Sequence, residues 1–185
     1  MLGQPAIFFD RDGVINSLIG PEFNRGPRTL NELAFIGEPE LVLAGIRGLG
    51  FINLIVTNQP DLSRGGLTLS EHKLICETVL AVCPSVSKIY TCPHDNEDCC
   101  DCRKPKPGLI DQAHQEFQLN LSDSWLVGDK WTDILAGKAR GLTTALLRND
   151  ASWNPTSQGL PPNDLSPDFE IRDLGELYDL LCLRP

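Results

Sequence analysis

Short strand-like and longer helix-like segments alternate along this chain of 185 residues, and this order leaves few folds open to it. Runs rich in Phe, Ile, Val and Leu predict strands, at residues 7–9, 51–56, 88–90, 124–127, 143–147 and 169–171. Apolar residues at helical spacing predict helices, at residues 38–49, 69–82, 107–117, 131–140 and 174–183. Because strands that alternate with helices form βαβ units, the pattern predicts an α/β fold, a Rossmann-like parallel sheet sandwiched by helices.

The chain length suits a single domain that spans residues 1–185 and contains one sizeable core. Gly, Pro and Asn are frequent in residues 20–31, which predicts a loop over the crevice at one end of the sheet. Residues 149–167 are dense in Asn, Pro, Ser, Gly and Asp, and they predict a long surface loop. The strand and helix predicted after this loop carry no chemical motif.

The formal net charge of -9 argues against nucleic acid as a partner, because backbone phosphates repel an acidic surface. A small phosphorylated substrate can still be attracted by a local group of cations, namely Arg64, Arg103, Lys104, Lys106 and Lys130. No apolar run is long enough to span a membrane, and residues 1–5 lack the features of a secretion signal, so we expect a cytoplasmic protein. No long heptad pattern is present, and we therefore expect a monomer.

Two carboxylates, Asp10 and Asp12, follow the first predicted strand, and Gly13 comes directly after them. Burying a carboxylate is costly unless a cation or hydrogen bonds compensate its charge. Two carboxylates at the end of one strand therefore indicate a bound cation or proton-transfer chemistry. The alternative is structural, with Asp10 capping the next turn and Asp12 beginning an Asx-turn.

Other polar residues cluster beyond the ends of later strands or just before a helix. They are Thr57, Asn58, Gln59, Arg103, Lys104, Asp129 and Lys130. In an open parallel sheet, ligands bind outside the carboxyl ends of the strands. We therefore expect Thr57, Lys104 and Asp129 to share one crevice with Asp10 and Asp12.

Residues 92–102 contain a second, independent chemical signal. A Cys-x-His pair, Cys92 and His94, is followed by a Cys-x-Cys pair, Cys100 and Cys102. Four soft or borderline ligands on one short loop are typical of a closed tetrahedral zinc site. The alternatives are reduced surface thiols or a disulfide, and the missing secretion signal argues against the disulfide. Cys99 and Cys102 also form a Cys-x-x-Cys pair, so spacing alone leaves the ligand set open.

Some conspicuous residues carry no chemical prediction. His72 and His114 lie on predicted helices without ligand partners at a useful spacing, and both are predicted to be structural. Asp133 is predicted to orient Lys130 or metal-bound water rather than to bind the metal directly.

The residues beyond the strand ends resemble the four motifs of the haloacid dehalogenase superfamily, whose members are mostly phosphatases. The resemblance implies that Asp10 is the nucleophile for the phosphoryl group and that Asp12 is the general acid and base. It implies that the Thr57 hydroxyl holds a phosphoryl oxygen and that Lys104 neutralises the phosphoryl charge. It also implies Mg²⁺ as a cofactor, bound by Asp10, Asp129 and the backbone carbonyl of Asp12.

The zinc-loop pattern, Cys-Pro-His and then Cys-Asp-Cys-Arg-Lys-Pro-x-Pro-Gly, resembles the heptose bisphosphate phosphatases and the related histidinol phosphatases of this superfamily. This resemblance implies a structural Zn²⁺ in residues 92–102, with the ligands Cys92, His94, Cys100 and Cys102. It implies substrate-facing side chains at Asn58, Gln59, Arg103 and Lys130. We expect no cap domain over the site, so specificity would also depend on the loops at residues 17–20 and 60–64.

The function implied by the resemblance is that of a magnesium-dependent phosphomonoesterase acting through an aspartyl-phosphate. The implied reaction removes the 7-phosphate of D-glycero-D-manno-heptose 1,7-bisphosphate. The alternatives are a histidinol-phosphate or other small-molecule phosphatase and, outside enzymes, a zinc-stabilised binding protein that has lost its activity. Asp10, Asp12 and Lys104 are all present, which favours an enzyme.

Overall fold

The computed structural model describes residues 3–20, 25–149 and 152–183. Its strands are β1 (Ala6–Phe9), β2 (Ile52–Asn58), β3 (Val86–Cys92), β4 (Trp125–Gly128), β5 (Thr143–Leu147) and β6 (Phe169–Ile171). They form one sheet in the order β3-β2-β1-β4-β5-β6, and each neighbouring pair is parallel. Three sequence predictions fall partly outside the described residues: the N-terminus without a signal, and the loops at 20–31 and 149–167.

Helices connect the strands and cover both faces of the sheet. They are α1 (Pro39–Gly48), α2 (Leu69–Val82), α3 (Gly108–Phe117), α4 (Trp131–Lys138) and α5 (Leu174–Cys182). Alternate side chains of β1 pack into two hydrophobic cores, one on each face of the sheet. Ile7 and Phe9 pack with α1, α2 and α5, whereas Ala6 and Phe8 pack with α3 and α4. The predicted sandwich is confirmed, and the described residues form no cap domain. No helix in this part of the chain combines the length and apolar composition of a membrane span.

Two strands run further than their apolar residues predict. β2 ends at Asn58 rather than at residue 56, and β3 ends at Cys92 rather than at residue 90. The reason is mutual pairing, since Thr57 pairs with Thr91 and Asn58 pairs with Cys92. Backbone hydrogen bonding therefore brings a polar motif to the same end of the sheet as Cys92, the first cysteine of the candidate metal-binding loop at residues 92–102, called the metal loop below.

β1 lies at the centre of the sheet, between β2 and β4. The chain proceeds from β1 to β3 on one side and from β4 to β6 on the other, so the winding direction reverses between β1 and β4. In open α/β sheets such a reversal opens a crevice beyond the carboxyl ends of the strands. Asp10 stands at this crevice, where its N–H donates to Val127 O at 2.8 Å.

His72 is half-buried on α2, and its Nε2 lies 3.2 Å from Thr91 Oγ1. Burial, together with the nearby Arg11 guanidinium, lowers the pKa of His72 to about 4, against the opposing effect of Asp12. Below about pH 6.5 the unfolded chain therefore binds a proton that the folded chain excludes. The contribution of His72 to stability is present in full above that pH and is lost as the pH falls toward about 4.

We expect His72→Gln to lose less of its free energy of unfolding than the wild type between about pH 7 and about pH 5. The difference should be roughly 1 to 2 kcal/mol, because glutamine takes up no proton. Urea unfolding at the two pH values measures it. His114→Gln, at an exposed position of α3, is the matched control and should follow the wild type. Parallel losses in wild type and His72→Gln would contradict this account of His72.

Candidate active site

Lys104 is the centre of a buried group of charges at the carboxyl ends of β1 and β2. Its Nζ lies 3.0 Å from Asp10 Oδ1 and 2.6 Å from Asp133 Oδ1, and it donates to Val56 O at 2.8 Å. Burial alone would lower the pKa of Lys104, but the carboxylates of Asp10 and Asp133 outweigh burial and raise it. Lys104 is therefore held as a cation directly beside Asp10.

Asp10, Asp129 and Asp133 bring carboxylate oxygens to within 4.8 Å of one another. Burial raises the pKa of Asp10 to about 6 and that of Asp129 to about 7, despite the neighbouring lysines. Among the described residues, Asp129 Oδ1 is buried without a hydrogen-bond partner. Mg²⁺ prefers carboxylate oxygens and usually keeps several waters. This donor set therefore fits the Mg²⁺ site that the resemblance implies.

Asp133 supports the site from the protein side. Its Oδ2 accepts the backbone N–H of Lys130 at 3.1 Å, at the start of α4, and its Oδ1 faces Lys104. Asp133 thus contacts the Lys130 main chain, in agreement with the prediction that it orients Lys130, and it also contacts the Lys104 side chain, which the sequence did not predict. Asp133 Oδ1, like Asp129 Oδ1, is buried without a hydrogen bond to the described residues, but it lies 2.6 Å from the Lys104 ammonium, a closer contact than the 4.0 Å between Asp129 Oδ2 and Lys130 Nζ. Asp129 is therefore better placed than Asp133 to join Asp10 in holding a metal ion.

Four hydrogen bonds fix the carboxylate of Asp12. Its Oδ1 accepts from Arg11 Nε and Asn16 Nδ2, both at 2.9 Å. Its Oδ2 accepts from Arg11 Nη2 at 3.0 Å and from Gln59 Nε2 at 2.6 Å. Burial opposes ionisation, but the Arg11 guanidinium and these hydrogen bonds outweigh it and lower the pKa of Asp12. Asp12 is therefore held as an anion, which is the protonation state that its predicted role as general base requires.

Two glycines allow the backbone to approach these carboxylates closely. A Cβ atom at Gly26 would lie 2.3 Å from Asp12 Oδ2, so the described part of the predicted loop over the crevice depends on glycine here. Gly13 has a φ of 93°, and a Cβ atom there would lie 2.4 Å from Asp129 Oδ2. Larger residues at either position would displace a carboxylate of the site.

The residues at the end of β2 form hydrogen bonds with Lys104 and Asp12. Asn58 donates from Nδ2 to Lys104 O at 2.9 Å and accepts the N–H of Lys104 at Oδ1 at 3.0 Å. Gln59 donates from Nε2 to Thr57 Oγ1 at 2.8 Å, as well as to Asp12. Asn58 and Gln59 also line the cavity above the site, a position from which they could contact a substrate. Their contacts with substrate stay predictions. Thr57 is almost wholly buried, 1% exposed.

Arg103 and Lys130 line the same cavity. Arg103 donates from Nε to Asn96 Oδ1 at 2.9 Å and from Nη1 to His94 O at 3.2 Å. Much of its hydrogen-bonding capacity is therefore directed to the metal loop, and burial lowers its pKa. Lys130 Nζ lies 4.0 Å from Asp129 Oδ2 and is only partly exposed. Their predicted roles in binding substrate are compatible with these positions.

The other two residues of the expected cationic group behave differently. Arg64 lines the cavity, but its guanidinium makes two hydrogen bonds of 2.6 Å to the Asp95 carboxylate. Lys106 does not line the cavity, because its Nζ donates to Cys100 O at 2.7 Å. Lys106 thus belongs to the expected group of cations but makes no contact at the cavity, since a backbone carbonyl of the loop at residues 92–102 accepts from it.

A cavity of about 830 Å³ opens above Asp10 and Lys104. Leu18 lines it, and further segments contribute its walls, at residues 25–28, 58–61 and 154–158. The predicted specificity loops at 17–20 and 60–64 thus both reach the cavity. Residues 154–158 were missed by the sequence analysis, because turn-forming residues such as Asn, Pro and Ser give no signal that distinguishes a cavity wall from an ordinary surface loop.

Cys92, His94, Cys100 and Cys102 form a separate cluster beside the cavity. Cys100 Sγ lies 3.7 Å from Cys92 Sγ and 3.5 Å from Cys102 Sγ, and Cys102 Sγ lies 3.3 Å from His94 Nδ1. Sulfur ligands placed tetrahedrally around Zn²⁺ are separated by about 3.7 Å, so the spacing fits a zinc site. Cys99 is exposed and lies outside the cluster, which favours the ligand set that contains Cys100.

The fold and the site together define a class of protein. A buried aspartate beside a fixed lysine, next to carboxylates suited to Mg²⁺, lies at the reversal point of a parallel sheet. Such a site is built to bind and transfer a phosphoryl group, because it offers a nucleophile together with positive charge for the phosphoryl oxygens. The class is that of hydrolases that act on phosphate esters.

Comparison with known proteins gives the family. Residues 101–177 match the Hydrolase_like family model, described as HAD-hydrolase-like. The chain is 36% identical over 182 residues to the D-glycero-beta-D-manno-heptose-1,7-bisphosphate 7-phosphatase of Helicobacter pylori. The alignment covers 95% of this chain and 96% of that relative. It is 30% identical over 171 residues to the D-glycero-alpha-D-manno-heptose-1,7-bisphosphate 7-phosphatase of Photorhabdus laumondii. That alignment covers 85% of this chain and 91% of the relative.

A solved structure shares the fold. It is the D,D-heptose 1,7-bisphosphate phosphatase from B. bronchiseptica complexed with magnesium and phosphate, with a TM-score of 0.76 and 23% identity, covering 96% of this chain and 98% of that chain. The protein belongs to the haloacid dehalogenase-like hydrolases, as its motifs predicted, and its full-length relatives are phosphatases.

Proposed function

We propose that the protein is a magnesium-dependent phosphomonoesterase that removes the 7-phosphate of D-glycero-D-manno-heptose 1,7-bisphosphate. The observation that carries the chemistry is the 3.0 Å contact between the buried groups of Asp10 and Lys104 at the base of the cavity. The reaction named for the relatives at 30% and 36% identity supports the substrate. Those two relatives act on different anomers, so both anomers belong in the test.

The first proposed step transfers the phosphoryl group to Asp10. A carboxylate oxygen of Asp10 attacks phosphorus, a new P–O bond forms, and the bond from phosphorus to the sugar oxygen breaks. Asp12 donates a proton to the departing oxygen as general acid. A phosphate dianion beside Asp12 disfavours the carboxylate anion, so substrate binding raises the pKa of Asp12 and supplies the protonated form.

The second step releases phosphate and restores Asp10. Asp12, now an anion, accepts a proton from water while the water oxygen attacks phosphorus. The bond between phosphorus and the Asp10 oxygen breaks, which regenerates the carboxylate. The hydrogen bonds from Arg11, Asn16 and Gln59 favour the anionic form of Asp12 that this step requires.

Positive charge is needed throughout because an anionic nucleophile and a phosphate repel each other. Asp10 and Asp129 would hold Mg²⁺ together with the backbone carbonyl of Asp12, and the bound ion would neutralise phosphoryl charge. Lys104 supplies a second, fixed positive charge, which Asp133 keeps in place. The Thr57 hydroxyl completes the proposal as the group that holds a phosphoryl oxygen.

We also propose that Cys92, His94, Cys100 and Cys102 hold a structural Zn²⁺. Arg103 and Lys104 follow Cys102 directly, so an ion bound there would fix the position of both side chains at the cavity. Thiols stay reduced in the cytoplasm, so a site built from three cysteines is compatible with the proposed cytoplasmic location. The expectations of a monomer and of no nucleic-acid partner remain part of the proposal.

Phosphate release tests the proposed function. The substrates are both anomers of the heptose bisphosphate, fructose 1,6-bisphosphate and histidinol phosphate, each with and without Mg²⁺. We expect the highest kcat/KM for one heptose anomer and no release without Mg²⁺. Preference for histidinol phosphate would contradict the proposed substrate but not the proposed roles of the residues. No release from any ester would contradict the enzyme and favour a binding protein.

A further inference from the structure

Residues 154–158, called the polar wall below, form one side of the cavity above Asp10. The wall belongs to the connection between β5 and β6, whereas the segments at residues 25–28 and 58–61 follow β1 and β2. Its members are Asn154, Pro155, Thr156, Ser157 and Gln158, and all of them line the cavity. A distant part of the chain is thus brought to the site without supplying any of its catalytic groups.

The chemistry of the polar wall differs from that of the rest of the cavity. Its side chains are amides, hydroxyls and a proline, and residues 152–160 contain no charged side chain. The rest of the cavity lining is rich in cations and carboxylates, including Arg28, Arg103, Lys104, Lys130 and Asp61. Cations recognise phosphate groups, whereas neutral amides and hydroxyls pair with groups that both donate and accept hydrogen bonds, such as sugar hydroxyls.

The polar wall is attached to the catalytic lysine and to the metal loop. Gln158 donates from Nε2 to Lys104 O at 3.1 Å. Ser157 Oγ accepts from Arg103 Nη2 at 3.4 Å, and Ser157 O accepts from the Asn96 side chain. These contacts join segments that are more than 50 residues apart in sequence. They hold the wall at a set distance from the reacting groups.

A tight turn also orders the wall internally. Thr156 and Gly159 exchange two backbone hydrogen bonds of 2.9 Å each. Thr156 Oγ1 accepts the N–H of Gln158 at 3.1 Å, which leaves the hydroxyl proton of Thr156 available for a further hydrogen bond. Side chains held by such contacts lose little conformational freedom when a ligand binds, so their hydrogen bonds add to specificity.

We propose that the polar wall selects polyhydroxylated phosphate esters by hydrogen bonding their hydroxyl groups, with Asn154 and Thr156 as the contacting side chains. This inference rests on the proposed phosphatase function and adds a specificity element to it. The cations at the base of the cavity bind phosphate in any ester, and the wall discriminates between the groups to which the phosphate is attached.

The test compares a polyhydroxylated ester with one that has no hydroxyl groups. The double variant Asn154→Ala with Thr156→Val removes both proposed donors and keeps the size of the Thr156 side chain. We expect kcat/KM for the preferred sugar phosphate to fall roughly 10-fold, because two hydrogen bonds to substrate are lost. The kcat/KM for para-nitrophenyl phosphate should stay within about 2-fold of the wild type, since this ester makes neither contact.

The matched control is Asn163→Ala with Ser166→Ala, two exposed positions of the same loop that do not line the cavity. It should leave kcat/KM unchanged for both esters.

Equal losses of kcat/KM on both esters in the wall variant would show a structural role and overturn the proposal. An unchanged preference for the sugar phosphate would overturn it as well. A wild type that hydrolyses fructose 1,6-bisphosphate better than heptose bisphosphate would refute the proposed substrate, yet the wall variant should still lose preference for the sugar ester. If the wild type preferred the aryl ester to every sugar phosphate, the proposal that the polar wall selects polyhydroxylated esters would be overturned.

Discussion

Asp10→Asn is expected to reduce phosphate release at least about 1,000-fold, because the amide oxygen cannot replace the carboxylate as nucleophile. The side chain keeps its shape, and Lys104 can still donate to the amide oxygen while it remains paired with Asp133. Burial already raises the pKa of Asp10 to about 6, so a neutral group is tolerated at this position. The midpoint of thermal unfolding should therefore stay equal to that of the wild type or rise slightly. Phosphate release and thermal unfolding are measured on the same preparation.

The matched control for this variant is Asp164→Asn, the same substitution at an exposed position that does not line the cavity. It should retain full turnover and an unchanged unfolding midpoint. If Asp10→Asn kept more than about a tenth of the wild-type turnover, Asp10 would not be the nucleophile. Loss of turnover together with a large fall in the unfolding midpoint would point to a structural role for Asp10 instead.

The second large effect is expected at the cysteine cluster. Cys102→Ser should lower the metal content of the purified protein and destabilise it by on the order of 3 kcal/mol, or roughly 10 °C in a chain of this size. Turnover should fall about 100-fold even with Mg²⁺ in excess, because Lys104 lies two residues from the lost ligand and small displacements of catalytic groups are costly. Elemental analysis, thermal unfolding and phosphate release measure the three effects.

Cys99→Ser provides a stringent control, because Cys99 is in the same loop but is exposed and outside the cluster. It should keep one equivalent of zinc, the wild-type unfolding midpoint and full turnover. Zinc loss in Cys99→Ser, or full zinc retention in Cys102→Ser, would show that the cluster is not the metal site. Removal of zinc with a chelator, followed by addition of Mg²⁺, should reproduce the defect of Cys102→Ser.

Several features of the site could be predicted because they depend on neighbours in the sequence. The apolar run before Asp10 predicts a buried strand, and the position of Asp10 after that run places it at the mouth of the sheet. The spacing of Cys92, His94, Cys100 and Cys102 predicts a metal site, because short loops bring such ligands together. The structure then distinguishes Cys100 from Cys99, which spacing alone could not do.

Other features depend on side chains that meet across the fold. The pairing of Arg64 with Asp95 joins residues 31 positions apart, and it withdraws a cation that composition suggested was available for substrate. Lys106 is likewise captured by backbone carbonyls of the metal loop. A charge count gives the number of cations in a region, but only packing decides which of them have found partners within the protein.

The sequence by itself predicted the parallel sheet, because strand-like and helix-like segments alternate along it. It also placed Asp10, Asp12, Lys104 and the candidate metal ligands in recognisable motifs, because each motif is a short stretch of neighbouring residues; their catalytic and metal-binding roles stay predictions. Only the tertiary structure decided that Asp133 holds Lys104 and that Gln59 reaches Asp12. Only the tertiary structure placed Gln158 against the carbonyl of Lys104, 54 residues away in sequence. The physical reason is that short polar loops have weak conformational preferences of their own. Their positions are therefore set by long-range hydrogen bonds that form once the sheet and helices have packed.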